Sequence, residues 1–298
     1  MGKGRGGTGD RGITGGSMKR RRAVRSAEVV RTSAGRQYHI GCGRGDVAPF
    51  VLLCGDPARA RRCASKFQRV RVERANREYL TITGSWKGIP VSVMATGMGP
   101  DNTEIAVVEL AQICEPTLLR IGSCGALQKG IPIGSIVVSS GAVRLENTST
   151  WFVPEGYPAV ADPEAALALL QAASDLKLEH SFGLTATAPG FYGAQARDVP
   201  GFPPRVPTLD ADLARIGVAN LEMEASALFT LATLRGLRAG CACAVFANRP
   251  ANRFIEEKDK HRAEDDVIAV GLRAIEVLVA MDRARGKRPR WLPELGLK

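Results

Sequence analysis

The chain has 298 residues, 45% hydrophobic and 24% charged, with a formal net charge of +11. That length builds one large domain or two small ones with a sizeable core, and the composition is globular rather than disordered. No run of about 20 uncharged apolar residues occurs, which excludes a helical membrane span.

Residues 1–37 carry ten Lys or Arg against Asp10 and Glu28, and nine glycines. They offer no apolar run before Val29, so they read as a disordered basic tail without the h-region of a secretory signal. Lys19-Arg20-Arg21-Arg22 reads first as a solvated extension, or as the product of a start upstream of a true one at Met18. Binding to an acidic surface, or a nuclear or organellar address, is the alternative.

From Phe50 the pattern becomes alternating strand and helix. Phe50–Cys54 predicts a strand, and Gly55-Asp56-Pro57 a turn into a helix with Asp56 as cap and Pro57 at its first position. Leu80–Ser85 and Ile89–Thr96 predict two strands about a turn at Lys87-Gly88. Asp101-Asn102-Thr103-Glu104 predicts a capping-box start to a helix through Ile113. Thr117–Gly122 predicts a strand ending in a small-residue loop, Gly122-Ser123-Cys124-Gly125. Gly134–Val143 is a further strand, followed by a helix from Asp162-Pro163 to Lys177 and a strand over His180–Thr187. Residues 188–208, with five prolines and three glycines, predict a long irregular loop, and such loops are usually functional. Val218–Met223 leads into a helix from Glu224 to Leu234. Ala239–Ala247 predicts a buried strand and Glu257–Met281 a final helix. Residues 282–298 form a second basic tail, six Lys or Arg against Asp282 and Glu294.

Between the tails, residues 38–281 hold 25 basic and 26 acidic side chains and are about neutral. The prediction is a single three-layer α/β/α domain with a central mixed sheet over 38–281. Nucleic-acid binding, which the overall charge suggests, is confined to the tails. Seven cysteines include no CxxC pair, and the three histidines are widely separated. That pattern fits reduced thiols in a cytoplasmic protein and predicts no zinc site.

Three clusters carry chemistry. Gly55 with Arg59, Arg77 beside Glu78, and Arg120 before Gly122-Ser123 place Arg and small residues at strand ends, where open α/β folds bind anions. Glu222-Met223-Glu224 puts two carboxylates at a strand–helix junction. They suit a vicinal diol such as ribose hydroxyls, while Glu224 alone also serves as a helix-capping charge. Phe191-Tyr192 precede Gln195 and Arg197, spaced two apart as if to point one way in an extended chain. Gln offers a donor and an acceptor and Arg only donors, which suits the imide edge of uracil.

Taken in order, these segments resemble the nucleoside phosphorylase family. The likeness runs through His39-Ile40-Gly41, Gly55-Asp56-Pro57-Ala58-Arg59, Asn76-Arg77-Glu78, Ala95-Thr96-Gly97-Met98-Gly99 and Arg120-Ile121-Gly122-Ser123-Cys124-Gly125. It continues through Phe191-Tyr192 to Arg197, Glu222-Met223-Glu224 and Asn248-Arg249, covering 38–281 and neither tail. It implies phosphorolysis of a nucleoside to free base and ribose 1-phosphate, with phosphate as co-substrate and no organic cofactor. Phosphate is then expected on Gly55, Arg59, Arg120 and Ser123, with Arg77 from a neighbouring subunit. Ribose is expected on Met223, Glu222 and Glu224 with His39 across the interface, and uracil on Phe191, Tyr192, Gln195, Arg197 and Arg249. Arg120, Arg197, Gln195 and Glu224 form the implied catalytic set, in a homodimer or a hexamer built from dimers.

Departures from the family pattern matter as well. Purine-cleaving hexameric members carry an Asp near 248 as general acid, whereas Asn248 cannot donate in that way, which favours uridine, deoxyuridine included. A storage-type relative without activity is disfavoured by retention of Arg59, Arg77, Arg120, Gln195, Arg197 and Glu224. Arg253 stands where a Glu often pairs with the base-site arginine, leaving Arg249 without an evident holder. The interface cation, monovalent or divalent, that the family builds would use Glu78 and the Met98 carbonyl, but Asn102 replaces its serine.

Overall fold

The computed structural model describes residues 26–297, and the Lys19–Arg22 run lies outside the described residues. The apolar run Phe50–Cys54 forms β1 and turns at Gly55-Asp56 into α1 (Pro57–Ala64). Asp56 caps that helix, its Oδ1 accepting the Ala58 N–H at 2.8 Å. β2 (Val72–Asn76) has no apolar run, only alternating half-buried and exposed positions, and no predicted strand covers it. β3 (Tyr79–Trp86) and β4 (Ile89–Ala95) meet at Lys87-Gly88, both at positive φ as a two-residue hairpin turn requires. α2 (Pro100–Ala111) does not begin with the expected capping box. Its N-cap is Gly99, whose N–H is taken by the Glu224 carboxylate at 2.6 Å.

β5 (Thr117–Ala126) runs straight through the segment expected to be a loop, because β-pairing on both sides holds those small residues extended. β6 (Ile136–Arg144), the two-residue β7 (Ala159–Val160), α3 (Pro163–Asp175) and β8 (His180–Thr187) follow. The long loop contains a single 3-10 turn, Gly193–Gln195. α4 (Leu209–Arg215) is an unpredicted short helix. β9 (Asn220–Glu222), α5 (Ala225–Arg235), β10 (Ala239–Asn248), the two-residue β11 (Arg253–Phe254) and α6 (Glu257–Arg285) complete the chain.

All eleven strands join one mixed sheet in the order β11-β10-β6-β8-β9-β5-β1-β4-β3-β2, with β7 on β6. β10 also pairs with β5 in parallel, so β5, β9, β8, β6 and β10 close into a ring at one end of the sheet. β1 lies between β4 and β5, parallel to both. α1, α3 and α6 bury Ala60, Leu169 and Ile275 with one face of the sheet, and α2 and α5 bury Leu110 and Phe229 with the other. This is the three-layer α/β/α arrangement that the residue pattern predicts. Among the described residues no helix is long and apolar enough to cross a membrane.

The ends of the described chain lie against this body. Gln37 is buried and its N–H bonds the Cys42 carbonyl. At the other end α6 passes the 281 boundary suggested by composition. Arg238 holds Asp282 at 2.8 Å, and Trp291 packs on the core beside α3 and α6.

α6 approaches the sheet most closely at Gly271, where a Cβ would stand 2.7 Å from Ile121 Cγ2 and 3.0 Å from a Leu52 methyl. Both neighbours are locked in the core, so Gly271→Val overpacks this contact. Urea unfolding should report a loss of about 1–3 kcal/mol.

Candidate active site

The carboxyl-terminal ends of β1, β4 and β5 open toward a cavity of about 540 Å³. Arg120 and Ser123 line it from β5, Gly55 from the β1–α1 turn and Arg59 from α1, Met223 and Glu224 from the β9–α5 junction, and Phe191, Gln195 and Arg197 from the long loop. Most residues of the three sequence clusters, up to 169 positions apart in the chain, therefore share one wall-to-wall space.

Arg120 is the centre of the buried end. Its Nε donates to Glu222 Oε2 at 2.9 Å and its Nη2 forms an ion pair with Glu224 Oε2 at 2.5 Å, with all three side chains at most 7% exposed. Burial opposes the charge on Arg120, but Glu224 and Glu222 hold its pKa well above the ordinary value. Gly122 makes room for this guanidinium: a Cβ there would stand 2.7 Å from Arg120 Nη2 and 2.9 Å from Cys243 Sγ.

Glu222 has a different task from the one its position suggests. Its carboxylate accepts from Arg120, from the Thr187 hydroxyl and from the N–H groups of Glu224 and Ala225. It thus caps α5, the role considered for Glu224, and both oxygens are spent inside the protein. Neither Glu222 oxygen is left without a protein donor for the ribose contact expected of it. Burial raises the Glu222 carboxyl above the usual carboxylate range against the pull of Arg120. Every neighbour named is a donor, so the ionised form is the one this site fits. Glu224 bonds Arg120 with one oxygen and the Gly99 N–H with the other.

Arg59 is 7% exposed, pairs with Glu264 of α6 at 3.1 Å, and leaves its Nε buried without a partner. Two unspent donors of this kind suit an anion: that Nε and the hydroxyl of Ser123 on β5, which also lines the cavity.

Gln195 and Arg197 reach the same cavity, but not along an extended chain. Gln195 ends the 3-10 turn and Ala196 adopts a left-handed conformation, φ 54°, which re-aims the chain between them. Arg197 stacks over the Phe191 ring, 4.0 Å from its centroid, and donates through Nε to the Phe191 carbonyl at 3.0 Å. Burial, and then the charge of Arg249, lower the Arg197 pKa. Tyr192 and Arg249 line a neighbouring cavity of about 430 Å³ that shares Phe191 and Arg197 with the first. Arg249 is held by Asp210 of α4, Nη2 to Oδ2 at 2.8 Å. Arg253, in contrast, is exposed on β11.

His39, Arg77 and Glu78 are not among the residues lining the cavity of their own chain. His39 is anchored through Nδ1 to Glu109 at 2.7 Å, and Glu109 also accepts the His39 and Ile40 N–H groups. Arg77 sits at the β2–β3 turn with φ 54°, over the Tyr38 ring at 5.5 Å. Near Glu78, the Asn102 amide nitrogen donates to the Met98 carbonyl at 3.3 Å and takes up one of that oxygen's two lone pairs.

Sequence reasoning missed Asp210, Glu109 and Glu264, which hold Arg249, His39 and Arg59. Each lies at least 39 positions from its partner, and only the fold pairs them. Phe246 and Phe254, which complete the apolar wall, were likewise hidden in strands.

Residues 49–281 match the model of the Phosphorylase superfamily. A uridine phosphorylase of Thermococcus kodakarensis is 46% identical over 275 residues, covering 90% of this chain and 96% of the relative. A uridine phosphorylase of Treponema pallidum is 35% identical, covering 84% and 96%. A guanosine phosphorylase of Halorubrum lacusprofundi is 34% identical, covering 82% and 99%. The crystal structure of a Trypanosoma brucei nucleoside phosphorylase, described as showing uridine phosphorylase activity, superposes with a TM-score of 0.79 at 25% identity. That match covers 82% of this chain and 98% of the trypanosomal one. An α/β/α body with strand-end arginines, a paired-carboxylate junction and extensive sequence likeness has one consistent reading: the chain belongs to the Phosphorylase superfamily.

Proposed function

We propose that this protein is a uridine phosphorylase, cleaving uridine reversibly with phosphate to give uracil and ribose 1-phosphate. The observation that carries the reading is one cavity lined by a buried Arg59–Arg120 pair, by Glu224, and by Gln195 with Arg197. Each element matches one part of the substrate pair.

Phosphate sits against Arg59, Arg120, Ser123 and the Gly55 backbone. Arg120 brings no excess positive charge of its own, since Glu222 and Glu224 answer it. Its role is to hold Glu224 in place and to offer its remaining guanidinium edge. Ribose lies on Met223, with its hydroxyls donating to Glu224. Cleaving the C1′–N1 bond puts positive charge on the ribose ring, and a phosphate oxygen bonds to C1′ from the opposite face. The bonding pair leaves with uracil and spreads onto its carbonyl oxygens, toward which Arg197 and Gln195 donate. Burial sharpens the Arg197 contribution, because a desolvated donor interacts more strongly with a developing anion. Attack and departure need no covalent enzyme intermediate.

His39 and Arg77 complete the site from a second subunit in this proposal, which makes a dimer the smallest active unit. Glu109 supports it by fixing His39 through Nδ1, so that Nε2 faces outward. A cytoplasmic setting belongs to the same proposal and rests on seven cysteines, all free.

A purine reading has a relative in its favour, the guanosine phosphorylase above, but Asn248 speaks against it. Its amide donates to the Ile131 carbonyl at 2.8 Å, and its oxygen accepts the Ala251 N–H at 3.0 Å. It is a strand-end clamp with no proton to give.

Incubation with uridine, deoxyuridine, thymidine, inosine and adenosine, with and without phosphate, tests the proposal. Uracil release that requires phosphate is expected, and phosphate-dependent cleavage of inosine but not uridine would sink it. Arg197→Ala should lower kcat/KM for uridine by about 10²–10³, as removal of one preorganised donor does. Glu222→Gln turns an amide donor toward Arg120 or the α5 N–H groups. Breaking this buried pair should cost about 3–5 kcal/mol of stability, read by denaturant unfolding, and abolish activity in what remains folded.

A further inference from the structure

Two guanidiniums, Arg197 and Arg249, line the 430 Å³ cavity, and Arg197 also lines the 540 Å³ one. Two like charges in such a place repel unless something answers one of them. Arg253, four residues beyond Arg249, adds a third cation to this rim instead of a carboxylate. The answer comes from another part of the chain: Asp210, in the first turn of α4, pairs with Arg249 at 2.8 Å.

The pairing does more than balance charge. The same Arg249 Nη2 also donates to the Ala196 carbonyl at 3.4 Å, and Ala196 is the left-handed residue between Gln195 and Arg197. Asp210, Arg249 and the Ala196 carbonyl thus form a chain ending on the peptide that aims both base-edge side chains. Arg249 Nη1 is buried with no partner, so Asp210 and Ala196 are the groups that orient its guanidinium. Asp210 itself stands on a fixed mount. Leu213 of α4 is buried with Leu127, Val218 and Leu221, and Gln128 donates to the Ala214 and Val218 carbonyls closing the helix.

We propose that Asp210 is a positioning residue for base recognition, holding Arg249 so that the Gln195-Ala196-Arg197 segment presents its donors to the uracil edge. This rests on the uridine reading above. It assigns to α4, which lies outside every motif singled out in the sequence, control of affinity for the base but not for phosphate. Asp210 touches no residue of the phosphate or ribose wall, so its influence divides the two substrates.

Asp210→Asn keeps the shape and removes the charge, and steady-state kinetics with each substrate varied in turn is the test. KM for uridine should rise about tenfold, the equivalent of one charge-assisted hydrogen bond. KM for phosphate and the melting temperature should stay close to wild type. Asp210→Glu, which keeps the carboxylate, should recover most of the uridine affinity. An unchanged uridine KM overturns the proposal. So does a parallel rise of both KM values with a lowered melting temperature, which is what a merely structural residue gives, and so does failure of Asp210→Glu to recover affinity. A wild-type protein that leaves uridine intact overturns the uridine reading itself, whereas an active wild type with an indifferent Asp210→Asn variant overturns only the role of Asp210.

Discussion

Arg120 buried between Glu222 and Glu224 is the interaction on which the rest of this structure depends. Three ionised groups at most 7% exposed survive only because each is answered. Arg120 meets both carboxylates, Glu222 accepts the first N–H groups of α5, and Glu224 accepts the Gly99 N–H at the start of α2. Desolvation makes such a cluster a poor source of stability. What it supplies is registration: it ties β5, the β9–α5 junction and the β4–α2 turn together at one point, and that point is the floor of the cavity.

The sheet is shaped to permit this. β10 pairs with both β5 and β6, and β8 and β9 close the ring, so strands from distant parts of the chain converge on the Arg120 end. Small residues in β5 allow the guanidinium to lie close over its own strand. The long loop then needs only to lay Phe191, Gln195 and Arg197 across the open side. Its own geometry is set by the left-handed Ala196 within it and by Arg249 of a distant segment, which bonds the Ala196 carbonyl.

Legibility varied with the range of the interaction. Asp56 was readable as a helix cap, because a cap bonds within three residues of itself. β1, β3, β4 and β8 were readable from apolar runs. β2 was not, since its half-exposed residues carry no hydrophobic pattern, and Gly122–Gly125 looked like a loop because its extended shape comes from partners on either side. The same divide runs through the site. Arg59, Arg120, Gln195, Arg197 and Glu224 were legible as chemistry at strand ends and in a long loop. That Glu222 caps α5 and anchors Arg120 became visible only once Thr187, Arg120 and α5 were seen around it.

By itself the sequence determined the alternation of strand and helix, the neutral stretch between basic ends, and the inventory of arginine, carboxylate and amide side chains offered to the cavity. Those follow from local propensity, charge and residue type, which act over a few positions. Tertiary structure alone decided which arginine each carboxylate serves: Glu264 for Arg59, Glu222 and Glu224 for Arg120, and Asp210 for Arg249. An ion pair is chosen by distance in space and by burial, and neither is written in the spacing of the chain.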